Sequence, residues 1–195
     1  MGSTLLVVGR MAGRKERRAA AAYLAGASDA ELTSDTRVAL LKAWDAAPAK
    51  IACLDALNEA STCAFGGHAA ALEGLKDFNE AMTRGRWRHL PYWIDSSWLP
   101  VRSDTTFIER DKYGWPSFFG SAYGLLANLA DIAAASPHGL GTVPPHFELM
   151  RTDLRAFYAR KLDAFDEPTT LQWVWLALFE AATLCVERNV PMSTG

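Results

Sequence analysis

This sequence has few cysteines and few histidines, and it has no large excess of positive or negative charge. The cysteines Cys53, Cys63 and Cys185 are odd in number and fit no disulfide or zinc spacing, so we expect small buried thiols in a reducing compartment. The formal net charge is -2, which disfavours a general nucleic-acid-binding protein, because such proteins carry a strong positive excess. The four histidines lie at no metal-binding spacing from one another, and we expect neither a metal nor a cofactor.

Long apolar runs are also missing. Near the start only Leu5 to Val8 is apolar, and basic residues follow that run rather than precede it, which does not match a secretory signal. The most apolar stretch, Leu171 to Val186, is short for a bilayer span and contains Glu180, so we expect no membrane partner. The sequence predicts a soluble cytoplasmic protein.

What the sequence has in abundance is alanine, the strongest helix former, with 33 of its 195 residues. The stretch from Leu171 to Arg188 is apolar nearly all the way round, which is typical of a helix buried on every side. Amphipathic spacing predicts further helices, which begin near Arg14, Ser34, Pro48, His68, Ser121 and Phe147. We therefore predict one mainly α domain over residues 1–195, a bundle of six or seven helices around a central C-terminal helix.

The character of the sequence changes in an aromatic insert, residues 85–120, which holds nine of the 21 aromatic residues. No helical period runs through it, and Phe107 to Arg110 and Ser117 to Gly120 are predicted as a short β-hairpin around Asp111 to Gly114. Tryptophan, tyrosine and arginine are enriched at binding hot spots, so we expect a contact surface here. The predicted binding residues are Trp87, Tyr92, Trp93, Trp98, Trp115, Arg86 and Arg88.

The aromatic insert favours a non-catalytic protein that binds another protein or a second copy of itself. A toxin-neutralising (immunity-type) or adaptor protein of bacterial type suits this size and composition.

Two segments are similar to motifs found in enzymes, but the spacing of their residues does not match those motifs. Gly9 to Lys15 has three residues between its glycines, where a phosphate-binding loop has four. Ser121 directly follows Gly120, whereas a nucleophile elbow has one residue between them.

Two alternatives remain open. The first is a small enzyme or small-molecule binder with a pocket between the last helix and the aromatic insert, because Glu180 lies in the most apolar helix, where an unpaired carboxylate is costly. The polar candidates for that pocket are Glu180, Tyr123, His89, Glu109 and Asp111. The second is nucleic-acid binding through a local basic patch, which the net charge disfavours. That patch would comprise Arg14, Lys15, Arg17, Arg18, Arg84, Arg86 and Arg88.

Overall fold

The computed structural model describes residues 5–11, 13–27, 31–55, 87–90, 96–110, 112–114, 116–135 and 170–194. Within these ranges the chain forms a six-stranded mixed sheet and four helices. The strands are β1 (Leu5–Val8), β2 (Ala52–Asp55), β3 (Ser96–Leu99), β4 (Phe107–Arg110), β5 (Pro116–Ser121) and β6 (Met192–Thr194). The helices are α1 (Arg14–Gly26), α2 (Ser34–Ala46), α3 (Ala122–Ala135) and α4 (Thr170–Arg188). The predicted all-α bundle of six or seven helices is therefore wrong.

Most of the sheet was not predicted from the sequence, because strands such as β2 and β3 are short and show no alternation that marks them as strands. All four residues of β3 are buried, as expected of a central strand covered on both faces, so β3 shows no period of two. Strand β2 falls within a stretch whose apolar spacing predicts a helix after Pro48, yet it pairs antiparallel with β1. Pairing with a partner strand overrides the weak local preference there.

The strands lie in the order β2-β1-β6-β3-β5-β4. All neighbouring strands are antiparallel except β3 and β5, which are parallel. Strand β6 lies in the middle of the sheet, paired with β1 on one side and β3 on the other. The predicted hairpin is confirmed, since β4 pairs antiparallel with β5 and places Phe107 opposite Phe119.

Helices cover both faces of this sheet. Under α1 and α2, buried side chains of both helices join those of the strands in one core cluster that includes Trp44, Leu99 and Phe119. Since side chains alternate along a strand, Trp98 points to the opposite face, where α3 and α4 pack against each other. The predicted C-terminal helix is confirmed as α4, but it covers one face of the sheet instead of forming the centre of a bundle. No helix within the described ranges is long and apolar enough to cross a membrane.

Long-range hydrogen bonds fix the layer formed by α1 and α2. The Tyr23 hydroxyl donates to the backbone oxygen of Thr105 at 2.8 Å, which ties α1 to the loop between β3 and β4. The indole Nε1 of Trp44 donates to the backbone oxygen of Asn189 at 3.0 Å, which ties α2 to the end of α4. These bonds hold α1 and α2 over the sheet. A cavity lies between the first turns of α1 and the sheet.

Candidate functional site

A cavity of about 260 Å³ lies between the first two turns of α1 and the facing side of the sheet. We call it the α1–sheet cavity. Its floor comes from β3, β4, β5 and β6, and its roof comes from α1 and the residue Met11 before it. The lining residues are Met11, Lys15, Glu16, Ala19, Ser97, Glu109, Ser117, Phe119, Ser193 and Thr194.

Serine hydroxyls form much of the floor. Ser97 and Ser193 are direct partners across the antiparallel pair of β3 and β6, and Ser117 is opposite Glu109 across the pair of β5 and β4. Ser97 and Ser117 are only 6% and 8% exposed. Neither hydroxyl has a hydrogen-bond partner in the part of the chain that the structure describes. Two hydroxyls of largely buried serines therefore line one cavity, where they are available to a molecule that enters it.

Carboxylates line the same space from opposite sides. Glu16 is in the first turn of α1, and Glu109 is on β4. One carboxylate oxygen of each, Oε2, is shielded from solvent and has no hydrogen-bond partner among the described residues. The Glu16 carboxylate folds back against Gly13, where an added β-carbon would collide with it. This placement puts a negative charge at the positive end of the helix dipole and fills the position that a bound anion would take there.

A wider cleft of about 660 Å³ adjoins the cavity. Lys15 and Glu109 line both openings, so the two spaces meet at these side chains. We call the wider opening the basic cleft. Its lining residues are Arg14, Lys15, Arg18, Glu109, Arg110 and Lys112. The basic cleft combines part of the predicted basic patch on α1 with the turn after β4. Of the other residues of that patch, Arg17 pairs with Asp45 of α2 at 3.3 Å. Arg84 and Arg86 lie outside the described residues.

On the other face of the sheet, a buried hydrogen-bond cluster surrounds His89. The His89 backbone oxygen accepts from Nε1 of Trp98 at 2.8 Å, and its backbone N–H donates to Oδ1 of Asn128 at 2.9 Å. The ring nitrogen Nδ1 accepts from the backbone N–H of Ser121 at 3.1 Å, which places the proton of the neutral imidazole on Nε2. Burial lowers the pKa of His89 below its usual 6.5. The Ser121 hydroxyl accepts from the backbone N–H of Gly124 at 3.1 Å, so Ser121 caps α3, and the predicted start of a helix near Ser121 is confirmed.

The predicted protein-binding residues are distributed between core and surface. Trp98 is fully buried and belongs to the core, Trp87 is half-buried, and Arg88 is exposed. Tyr92, Trp93, Trp115 and Arg86 lie outside the described residues. Among the described rings of the insert, Tyr113 is 74% exposed. The predicted protein-binding surface stays a prediction.

The predicted pocket between the last helix and the aromatic insert stays a prediction. Glu180 is fully buried in α4 and is not without a partner. His89 lies in the cluster around Trp98, and the ring of Tyr123 lies 4.3 Å beneath the guanidinium of Arg102. None of these three lines either opening, and Asp111 lies outside the described residues. Glu109 does line the α1–sheet cavity, although that cavity is on the opposite face from α4.

Sequence analysis did not identify Glu16, Ser97, Ser117 and Ser193 as site residues. Ser97 and Ser193 belong to strands that are distant in sequence, so no local spacing brings them together. Ser117 lies in the predicted hairpin, but no sequence signal marks it as a site residue. No group of three or more side chains suited to a metal ion occurs among the described residues. Comparison with known proteins finds no matching family model, no similar curated protein and no similar solved structure.

Proposed function

We propose that the protein binds a small polyhydroxylated molecule in the α1–sheet cavity. The observation that carries this proposal is the pair of serine hydroxyls of Ser97 and Ser117, which line the cavity and have no hydrogen-bond partner among the described residues. Neither hydroxyl oxygen is among the side-chain atoms that are shielded from solvent without a partner, so both can be reached from the cavity. A bound ligand would replace water at these hydroxyls, and each such hydrogen bond contributes about 0.5–1.5 kcal/mol.

The composition of the lining suits a compound with several hydroxyl groups. A serine hydroxyl both donates and accepts, while the carboxylates of Glu16 and Glu109 only accept. A ligand with O–H groups satisfies both kinds of residue. Met11, Ala19 and Phe119 add an apolar wall for the C–H face of such a molecule. The volume of about 260 Å³ is below the roughly 300–1,000 Å³ of sites for drug-sized ligands, which favours a ligand the size of a single sugar ring.

We propose that the protein binds this ligand in the cytoplasm. Cys185 is a free cysteine and fully buried. Burial raises the pKa of its thiol, so the reactive thiolate is disfavoured. A free buried thiol is the form expected of a protein in a reducing compartment.

The proposal is tested by ligand-observed NMR with D-ribose, D-glucose and myo-inositol as probes, followed by titration of those that bind. The wild type should bind at least one of them. The double variant Ser97→Ala/Ser117→Ala should bind it about tenfold or more weakly, because two hydrogen bonds of about 0.5–1.5 kcal/mol each are removed. Ser34→Ala, at an exposed residue of α2, is the matched control and should bind like the wild type.

Unfolding of the ligand-free proteins separates a binding role of these serines from a structural one. Hydroxyls without a partner do not stabilise the fold, so the double variant should be at least as stable as the wild type in urea. If none of the three probes binds the wild type, or if the double variant binds as tightly, the proposed function is wrong.

A further inference from the structure

The basic cleft concentrates positive charge from two separate parts of the chain. Arg14, Lys15 and Arg18 come from the first two turns of α1, while Arg110 and Lys112 come from the end of β4 and the turn after it. Glu109 is the one carboxylate in the lining. Five cations thus face one acidic side chain in a protein whose formal net charge is -2, so the cleft is a local exception to the charge of the molecule.

Little of this positive charge is neutralised within the protein. Arg14, Lys15 and Lys112 have no carboxylate within 4 Å in the described ranges. Arg18 approaches Glu109 only to 3.9 Å, and its side chain is 87% exposed, so solvent screens this pair and its contribution is small. Arg14 and Arg18 are also four residues apart on α1, a spacing at which like charges destabilise a helix. A bound anion would relieve that repulsion.

Phosphate matches this arrangement better than a carboxylate does. A phosphate group carries several strongly accepting oxygens and can bond with more than one arginine or lysine at once. Lys15 and Glu109 line both spaces, and Lys15 is exposed, so a molecule seated in the α1–sheet cavity would have the basic cleft directly beside it. An extended nucleic acid strand would gain nothing from the cavity, which has room for one small molecule.

We propose that the basic cleft is a phosphate-binding site and that the ligand of the α1–sheet cavity is a phosphate ester of a polyhydroxylated compound. The identity of the ester rests on the proposed function of the cavity, whereas the phosphate site is carried by the cations alone. Contacts to the body of the ligand would come from Ser97 and Ser117, and contacts to its phosphate from Arg14 and its neighbours in the cleft.

Calorimetric titration tests this with two matched pairs of probes, D-ribose with D-ribose 5-phosphate and D-glucose with D-glucose 6-phosphate, and with inorganic phosphate alone. At least one phosphorylated sugar should bind wild type tenfold or more tightly than its parent sugar. That advantage should shrink as sodium chloride is raised, because salt screens exposed charges. The Kd of the parent sugar should stay constant.

Two charge-matched variants locate the phosphate. Arg14→Gln/Lys112→Gln should lose most of the advantage of the phosphorylated sugar and bind the parent sugar within twofold of wild type. Lys42→Gln/Lys50→Gln removes the same charge from exposed lysines outside the cleft and should retain the advantage. Both variants change exposed side chains, so their folding is checked by the same urea titration as wild type.

The outcomes distinguish the two proposals. If the parent sugar binds and phosphate adds nothing, the phosphate site is wrong while the proposed function of the cavity stands. If inorganic phosphate binds wild type but not Arg14→Gln/Lys112→Gln, and no sugar binds, the phosphate site stands and the proposed function fails. If an oligothymidine of twelve nucleotides binds more tightly than both sugar phosphates, the proposed phosphate-ester ligand is wrong and the cleft binds single-stranded nucleic acid.

Discussion

At the scale of single residues, His89 connects three elements through both its backbone and its ring. Its partners are Trp98 of β3, Ser121 at the end of β5 and Asn128 of α3. Gly124 lies against the imidazole so closely that an added β-carbon would overlap the ring. Because Nδ1 accepts a hydrogen bond from a backbone N–H, only the unprotonated nitrogen fits this site.

The fold should therefore lose stability as the pH falls through the region where histidine titrates. Burial lowers the pKa of His89 in the folded state, so the unfolded chain takes up this proton first, near pH 6.5. Above that pH the contribution of His89 is fully present, and below it the free energy of unfolding decreases. Urea denaturation from pH 7.5 to 5 should show this decrease. The variant His89→Asn, which keeps an acceptor near the position of Nδ1, should show a smaller one, and equal pH dependence in both proteins would contradict the assignment.

At the scale of elements, the end of α4 shows how a helix is stopped and redirected. Asn189 has a φ of 51°, in the left-handed region. The backbone N–H of Val190 donates to the carbonyl oxygen of Cys185, and that of Asn189 donates to Val186, at 3.1 and 3.2 Å. These two bonds form a Schellman motif with asparagine at the left-handed position. The motif turns the chain directly into β6.

Substitution at this position should follow how well each residue tolerates the left-handed region. Asn189→Ala should lower the free energy of unfolding by about 1 kcal/mol, because the short polar side chain of asparagine makes this region accessible and alanine lacks it. Asn189→Gly should match or exceed the stability of wild type. Both variants retain the carbonyl oxygen that accepts from Trp44, so this hydrogen bond is constant in the comparison. A stability of Asn189→Ala equal to that of Asn189→Gly in chemical denaturation would argue against strain at this residue.

The helices and strands also show which parts of the fold local sequence signals can predict. The starts of α1, α2 and α3 follow from helical spacing, and the hairpin of β4 and β5 follows from two short apolar runs around a turn. Strands β2, β3 and β6 gave no such signal, since each is four residues or fewer and depends on partners far away in the sequence. The separation of these strands in the sequence is also the reason why the α1–sheet cavity was not predicted. Arg14, Lys15, Arg18 and Glu109 stand out as charges in the sequence, and the predicted hairpin brings Ser117 near Glu109. Only the pairing of distant strands places Ser97 beside Ser193.

At the scale of the whole molecule, β6 joins two halves of the sheet that otherwise share no strand pairing within the described ranges. One half is β1 with β2, and the other is β3 with β4 and β5. Strand β6 is three residues long and is paired on both sides. The integrity of the sheet therefore depends on very few backbone hydrogen bonds.

A proline in this strand should destabilise the entire fold. Ser193→Pro removes a backbone donor from a central strand, where proline is not tolerated. It should lower the free energy of unfolding by about 1–3 kcal/mol, because a ladder hydrogen bond is lost and its acceptor is left unpaired. Hydrogen exchange should then accelerate in both β1 and β3. Ser34→Pro is the matched control, because it places the same residue in the first turn of α2, where proline is accepted. Exchange that accelerates in only one half would show that the halves are stable independently of β6.

The central place of β6 also has a consequence for how the protein is made. Since β6 follows every other described strand in the chain, a ribosome completes both halves of the sheet before it synthesises the strand that joins them. Until then the inner edges of β1 and β3 lack their partner and can pair with other nascent chains. Efficient production of this protein should therefore depend on chaperones that shield those edges during translation, or on slow, dilute synthesis in a host that lacks them.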